Sequence, residues 1–275
     1  MRLFIFIIFV VSVIFSFSNF RPHRAEVVFF NVGQGDSFLL HTPGGLNILI
    51  DGGPDWSTLY ALGRYFSGHQ PVIDLLILSH GHDDHLAALP ELVERYQVKR
   101  AFLPAHLAGY AGSALSSSLS ESGTIISYPT ENFCFELEIA CRLCLFPPGK
   151  EFLDSTDDND LSLAINFNCA GLSLTATGDA SGRREQALLA ENDYLGAHIL
   201  KASHHGYADA NSDDFIKAVN PKAFIISVGV NNYGHPAAEL IHRVRADGIQ
   251  IWRTDEDGDV LFYSKNSQLY TAKPW

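Results

Sequence analysis

From Glu26 onward, short apolar runs alternate with Gly/Pro turns and with stretches of helical period. Glu26–Val32, Ser37–Leu40 and Leu46–Ile50 read as strands, with Thr42-Pro43-Gly44-Gly45 as a hairpin turn between the last two. Ser57–Phe66 predicts a short helix. Val72–Leu78 is apolar except for Asp74, the mark of a buried strand, and it runs directly into His80. An amphipathic helix over Leu86–Tyr96 and a strand over Val98–Leu103 follow. A weak, exposed, serine-rich helix is expected over Ser113–Ser122, with Leu115 and Leu119 one turn apart. In the second half Phe135–Phe146, Leu161–Asn168 and Leu172–Thr177 predict an antiparallel meander that ends at Gly178-Asp179. Helices at Gly182–Ala190, Asp213–Val219 and Ala237–Arg245 interleave with strands at His198–Ala202 and Ala223–Val228. Two terminal strands flank Asp255-Glu256-Asp257-Gly258. Two strand-rich halves with interleaved helices predict an α/β (α+β) fold, a four-layer αββα sandwich. No linker follows Ala25, so residues 26–275 are expected to form one domain.

The first twenty residues are a different kind of sequence. Leu3–Phe15 is Leu, Ile, Phe and Val broken only by Ser12, with Arg2 ahead of it. The run is shorter than the roughly 20 residues of a spanning helix and suits the apolar centre of a signal peptide. Ser16-Phe17-Ser18 is a loose match to a cleavage site, and Arg21 and Arg24 on the far side leave orientation open. Residues 1–25 are therefore read as a signal or membrane-anchor segment (anchoring through residues 3–20) plus a short linker. The remainder would be exported or held outside the cytoplasm. A core strand fits less well, because the run is long and lacks a two-residue period.

Composition narrows the partners. With 47% hydrophobic and 18% charged residues the chain can bury a sizeable core. A formal charge of −12 argues against broad nucleic-acid binding through a basic face. It leaves nucleic acid possible at a metal centre, where bound cations reverse the local field. Cys134, Cys141, Cys144 and Cys169 form an even set, which an exported chain could pair. Cys141-Arg142-Leu143-Cys144 looks like half of a zinc ribbon, but no second such pair follows. Buried thiols or one disulfide are expected, and the sequence does not choose between them.

His80, His82, Asp84 and His85 lie within six residues, just past a predicted buried strand. Histidine with a neighbouring carboxylate suits zinc, manganese or iron. At alternate spacing His80 and His82 can face one side of a loop while Asp84 and His85 turn toward a second position. Two positions about 3.5–4 Å apart are the geometry of two-metal hydrolysis.

His80-Gly81-His82-Asp83-Asp84-His85 matches the HxHxDH signature of the metallo-β-lactamase superfamily. The blocks around it resemble the hydrolase domain of ComEC-type DNA-internalisation (competence) proteins. They are Asn31-Val32-Gly33-Gln34-Gly35-Asp36-Ser37, Ile48-Leu49-Ile50-Asp51-Gly52-Gly53, Thr177-Gly178-Asp179, Ser203-His204-His205-Gly206, Tyr233-Gly234-His235-Pro236 and Arg253-Thr254-Asp255-Glu256-Asp257-Gly258. The resemblance covers residues 26 to about 264 and implies roles for these positions. His80 and His82 would hold a first metal, Asp84 and His85 a second, with Asp179 bridging. One histidine of the His204-His205 pair would complete the second site, His205 in preference, with His204 sitting behind it or contacting phosphate. Asp51 would orient the metal-binding loop through hydrogen bonds. Asp36 would either do the same or cap a turn. The superfamily's usual third histidine of the first site is missing, since only His106 lies between His85 and Asp179. Asn159-Asp160-Leu161-Ser162 stands in its place. The implied cofactor is one or two divalent ions, zinc or manganese, and an oxygen-richer first site favours manganese. His235, in a Gly-His-Pro turn, would contact phosphate or protonate a leaving oxygen, unless it merely begins a helix. His23, His41, His69, His106, His198 and His242 show no clustering and read as ordinary surface or core residues.

The resemblance implies hydrolysis of a phosphodiester, with metal-activated water as nucleophile and Asp84, His235 and His204 as the reacting groups. The partner would be nucleic acid or another phosphodiester outside the membrane. Single strands or ends would reconcile this with the net charge, with Lys201, Arg183 and Arg184 as candidates for a basic rim. Two other readings stay open. One is a small-molecule hydrolase (lactamase, lactonase or phosphorylcholine-type esterase), marked by a narrow apolar pocket in place of an open groove with Lys or Arg. The other is a non-catalytic metal-binding module.

Overall fold

A computed structural model describes residues 24–67, 72–105, 107, 109–191 and 194–274. The leader or anchor segment up to residue 23 lies outside the described residues, as do His23, His69 and His106. Among the described residues, no helix is long and apolar enough to cross a membrane.

Strands β1 (Glu26–Phe29), β2 (Phe38–His41), β3 (Asn47–Ile50), β4 (Leu75–Ile77), β5 (Arg100–Phe102) and β6 (Ile125–Ser127) come first. They are followed by β7 (Phe133–Glu138), β8 (Cys141–Phe146), β9 (Ala164–Cys169), β10 (Leu172–Ala176), β11 (Ile199–Lys201), β12 (Ala223–Ile226) and β13 (Gln250–Arg253). The last two are β14 (Val260–Lys265) and β15 (Gln268–Ala272). One sheet runs β15-β14-β1-β2-β3-β4-β5-β6 and the other β13-β12-β11-β10-β9-β8-β7. Each passes from antiparallel to parallel pairing, at β3–β4 in the first and at β10–β11 in the second.

The two-residue period of the strands sorts their side chains between layers. Val27, Phe29, Phe38, Leu40, Ile48 and Ile50 face Leu143, Leu145, Ile165, Phe167 and Leu174 of the opposite sheet in one buried cluster. The alternate residues Val28, Leu39, Leu49 and Leu76 pack outward against α1 (Ser57–Tyr65), α2 (Asp83–Leu86), α3 (Leu89–Arg95) and α4 (Gly109–Glu121). Across the molecule, Leu200, Phe224 and Ile226 pack against α5 (Gly182–Glu191), α6 (Asp213–Val219) and α7 (Ala238–Ala246). The result is the expected four layers, helix–sheet–sheet–helix. A short α8 (Thr254–Asp257) carries the chain from the second sheet back to the first.

Several elements differ from the sequence expectation, each for a local reason. The helix expected over Leu86–Tyr96 is two helices, α2 and α3, and Pro90 in the first turn of α3 has no N–H to continue the earlier one. The single strand expected over Phe135–Phe146 is a hairpin that turns at Ile139-Ala140, with Ala140 in the left-handed region at φ 62°. The helix expected to be exposed at Ser113–Ser122 begins earlier, and its Leu115 and Leu119 are fully buried against the first sheet's helical layer. Strands β6 and β15 had no clear signal. The cysteines form two disulfides, Cys134–Cys144 and Cys141–Cys169, where thiols or a single bond were expected. Both join residues directly opposed on neighbouring strands.

Candidate metal centre

The residues that converge here leave the carboxyl ends of β3, β4, β10, β11 and β12. Parallel strands deliver their loops to one edge, so distant segments meet there. After β3, Asp51 adopts φ 57°, a left-handed conformation that aspartate tolerates. Its buried carboxylate accepts from Ser79 N (2.7 Å) and Ser79 Oγ (2.8 Å), and lies 2.9 Å from His85 Nδ1. These bonds span β3 and β4 and fix the start of the histidine run. His85 occupies α2, for which His82 is the N-terminal boundary residue and Asp83 and Asp84 form the acidic first turn. Gly35 is needed beside it, because a side chain there would run into the Asp84 carbonyl.

With Nδ1 held by Asp51, His85 turns Nε2 to 3.3 Å from Asp179 Oδ1 and 4.0 Å from Asp84 Oδ1. His205 approaches from the other sheet. Its Nδ1–H donates to Ser227 O (2.9 Å), and Nε2 lies 3.2 Å from both Asp84 Oδ2 and Asp179 Oδ2. Donor atoms of Asp84, His85, Asp179 and His205 thus lie within 4.8 Å of one another. His85 Nε2 and Asp179 Oδ1 are buried with no hydrogen-bond partner among the described residues. Two imidazole nitrogens and two carboxylates converging around unsatisfied atoms are a donor set that fits a divalent cation.

His80 and His82 are arranged differently. His80 is fully buried, and its Nε2 lies 3.1 Å from His82 Nδ1. Among the described residues no equally tight group of three contains either of them. Asn159–Ser162, in the place of the usual third histidine, does adjoin Asp179: Ser162 Oγ accepts from Asp179 N at 3.2 Å, and Asn159 Oδ1 is buried without a partner.

Burial alone would raise the carboxyl pKa of Asp179 and Asp84, but the imidazoles of His205 and His85 outweigh it and hold both below the usual range. Burial likewise opposes protonation of His205, yet Asp179 and Asp84 push it up to about 10. His85 is raised well above 6.5 by Asp179 and Asp51. His80 goes the other way, held low first by burial and then by His85. Asp51 is raised by burial despite His85.

His204 and His205 adopt φ 48° and 52°, strained for side-chain-bearing residues, and the structure around them holds that turn. Glu185 accepts from Ser203 Oγ (2.7 Å), Asn211 N (2.7 Å) and Ser212 N (2.9 Å), while Asn211 Oδ1 accepts from Ser203 N (2.8 Å). The turn buries His205 and leaves His204 facing the cavity, its Nε2 3.9 Å from Asp179 Oδ2. His235 precedes Pro236 across a cis peptide bond, with its ring 5.3 Å from His204 and 6.4 Å from His205. Burial holds the pKa of both His204 and His235 below normal, so both are largely neutral near pH 7. A neutral imidazole there can donate a hydrogen bond to an oxygen on which negative charge develops.

Asp36 caps no turn. It lies beneath the cluster, paired with the Lys201 ammonium and 3.6 Å from His205 Nδ1. Among the described residues the expected basic rim is absent. Lys201 is fully buried, donating to Gly178 O, and its charge is kept by Asp36 and Asp179 against the cost of burial. Arg184 is fully buried and donates to the carbonyls of Phe146 and Pro147, while Arg183 lies over the Phe152 ring. Neither Glu185 nor the role of Lys201 was anticipated. Glu185 does sit three residues before the buried Leu188 on one face of α5, and that spacing was the available signal.

The cluster opens into a cavity of about 880 Å³ lined also by Gln34, His82, Asn231, Tyr233 and His235. Its described lining residues include no lysine or arginine.

Comparison with known proteins agrees with this geometry. The family model described as the Metallo-beta-lactamase superfamily matches residues 30–230. The chain is 26% identical over 264 residues to ComE operon protein 3 of Bacillus subtilis (strain 168), covering 88% of this chain and 33% of that protein. It is 35% identical over 108 residues to Competence protein ComA of Neisseria gonorrhoeae, covering 38% of this chain and 16% of that protein. The chain therefore spans a third or less of the length of these curated relatives. Among solved structures it resembles the metallo-beta-lactamase fold protein YhfI from Bacillus subtilis, with 11% identity, a TM-score of 0.52, and 90% and 100% of the two chains covered. It also resembles Zn(2+)-bound PqqB from Methylobacterium extorquens, with 12% identity, a TM-score of 0.53, and 83% and 97% covered. At these identities the likeness concerns the fold.

Proposed function

The chain belongs to the metallo-beta-lactamase superfamily, which makes it a metal-dependent hydrolase, and we propose that it cleaves phosphodiesters of nucleic acid outside the membrane. The observation that carries the reading is the convergence of Asp84, His85, Asp179 and His205 at the floor of an open cavity, in a chain related to two competence proteins. Those four residues would hold one ion. His80 and His82, sharing Asp179, would hold a second. With no third histidine and with Ser162 beside Asp179, the donor set is oxygen-rich, which supports manganese over zinc. A divalent cation there supplies Lewis acidity, acidifying water and drawing charge from the phosphoryl oxygen.

The chain's own residues do the rest. Asp84, kept ionised by His205 and His85, accepts a hydrogen bond from the attacking water. The neutral rings of His204 and His235, 5.3 Å apart, present N–H donors to oxygens on which negative charge grows. Asp51 and the Ser227 carbonyl keep the ligand nitrogens of His85 and His205 aimed inward. Export is supported by the apolar run Leu3–Phe15 and by two disulfides, which persist in oxidising compartments.

One observation favours a second reading, hydrolysis of a small ester, lactone or lactam: no lysine or arginine lines the described cavity. The two separate on a substrate panel. Manganese-loaded protein should hydrolyse single-stranded DNA and a bis-aryl phosphodiester, with loss of at least about a hundredfold in Asp84→Ala. Opening of a lactam or lactone with both diesters untouched would overturn the phosphodiesterase reading.

A further inference from the structure

A polyanionic strand usually gains its affinity from phosphate contacts with Lys and Arg. The described cavity lining offers none, and the exposed Asp83 adds repulsion. What the mouth does offer is an aromatic ring in the open. Tyr233 is 76% exposed, and its neighbour on the loop, Val230, is fully exposed.

The loop that carries them is braced from within. The Asn231 side chain accepts from Tyr233 N (3.0 Å) and His235 N (3.1 Å) and donates to Gly229 O (2.9 Å) and His235 O (2.8 Å). At its base Gly229 packs so closely on the Gly33–Gln34 backbone that no side chain would fit. An exposed ring on a braced loop is set before a ligand arrives, so little ordering entropy is lost on binding. From Tyr233 a line of rings leads inward: His235 at 5.8 Å, then His204 a further 5.3 Å on, beside Asp179.

Resting on the phosphodiesterase reading above, we propose that Tyr233 is a stacking platform for an unpaired base, so that the substrate is a single-stranded nucleic acid. Stacking on an aromatic side chain suits every base, since each has a π face, and it needs no cationic rim. In a duplex those faces are covered by neighbouring base pairs. The strand lies with one base on Tyr233 and its phosphate toward Asp84 and Asp179.

Wild type, Tyr233→Ala and Tyr233→Phe are compared on a thymidine oligonucleotide, an abasic strand of equal length and a blunt duplex. KM comes from manganese-dependent cleavage, and Kd from fluorescence anisotropy with hydrolysis-resistant phosphorothioate strands. Wild type should prefer the thymidine strand over the abasic strand about tenfold in both quantities. Tyr233→Phe should keep that preference, and Tyr233→Ala should reduce it to about twofold or less. The duplex should behave like the abasic strand. No preference in wild type, or an undiminished one in Tyr233→Ala, overturns the platform. Preferential binding that depends on Tyr233, with no strand cleaved by any form, overturns the phosphodiesterase reading and supports the platform. Cleavage of both strands without preference does the reverse.

Discussion

The Nδ1 atom of His85 lies 2.9 Å from Oδ2 of Asp51, a carboxylate thirty-four residues earlier in the chain and just past the end of β3. A ring held at one nitrogen presents the other in a fixed direction, and here that nitrogen meets Asp179 at 3.3 Å.

Asp51 should therefore control metal affinity without touching the metal. Asp51→Asn is expected to weaken divalent-metal binding by about 10–100-fold, as loss of such an orienting partner does elsewhere. Chelator competition on the purified variant measures it. Unchanged affinity would mean that the Asp51 bond serves the fold alone.

Proton and metal should compete for the same nitrogens. In the metal-free chain the His205 imidazole is raised from 6.5 to about 10, because Asp179 and Asp84 overcome burial. Its folded pKa exceeds its unfolded one. Protonation thus stabilises the metal-free fold fully below pH 6.5, and that contribution is lost as pH rises through about 10. Metal binding must displace the proton, so affinity should rise from about pH 6 to about pH 8 with net proton release. Calorimetry in two buffers of different ionisation enthalpy reads both, and a pH-independent affinity would contradict the arrangement.

The two disulfides tie β7, β8 and β9 together at the end of the second sheet. Cys141–Cys169 closes the longer loop, at a separation of 28 residues against 10 for Cys134–Cys144. Its removal by Cys141→Ser with Cys169→Ser should cost roughly 2–4 kcal/mol, more than removal of the shorter link. Chemical denaturation with and without reductant measures this, and overlapping curves would show that the bonds contribute nothing to stability.

The fold and the floor of the site were legible in the sequence to different depths. His80 to His85 were readable because metal-binding side chains packed into six residues at a strand's end are a local signal. Asp51 and Asp179 were readable because the blocks Ile48-Leu49-Ile50-Asp51-Gly52-Gly53 and Thr177-Gly178-Asp179 resemble those of the competence-type hydrolase domain. What escaped depends on partners remote in sequence. Lys201 and Arg184 looked like a rim, but Asp36 in one case and two backbone carbonyls in the other let them be buried. Leu115 and Leu119 looked exposed on a serine-rich helix because their packing partners lie in other elements. The turn at Ile139-Ala140 carries no glycine or proline, so the hairpin it makes was invisible. The bracing of Tyr233 by Asn231 is made of local bonds, yet only the folded loop shows that the ring stays in the open.

The most direct test of the metal centre is the metal content of wild type and of the His82→Ala/Asp84→Ala double variant. Both are loaded with manganese or zinc, freed of loosely held ion by gel filtration, and measured by elemental analysis. Wild type should retain at least one ion per chain and the double variant none. The variant's circular dichroism should match wild type, because both side chains project from a loop and a short helix at the rim of the sheets. A double variant that keeps the wild-type metal stoichiometry would contradict the assignment of this cluster as the metal centre.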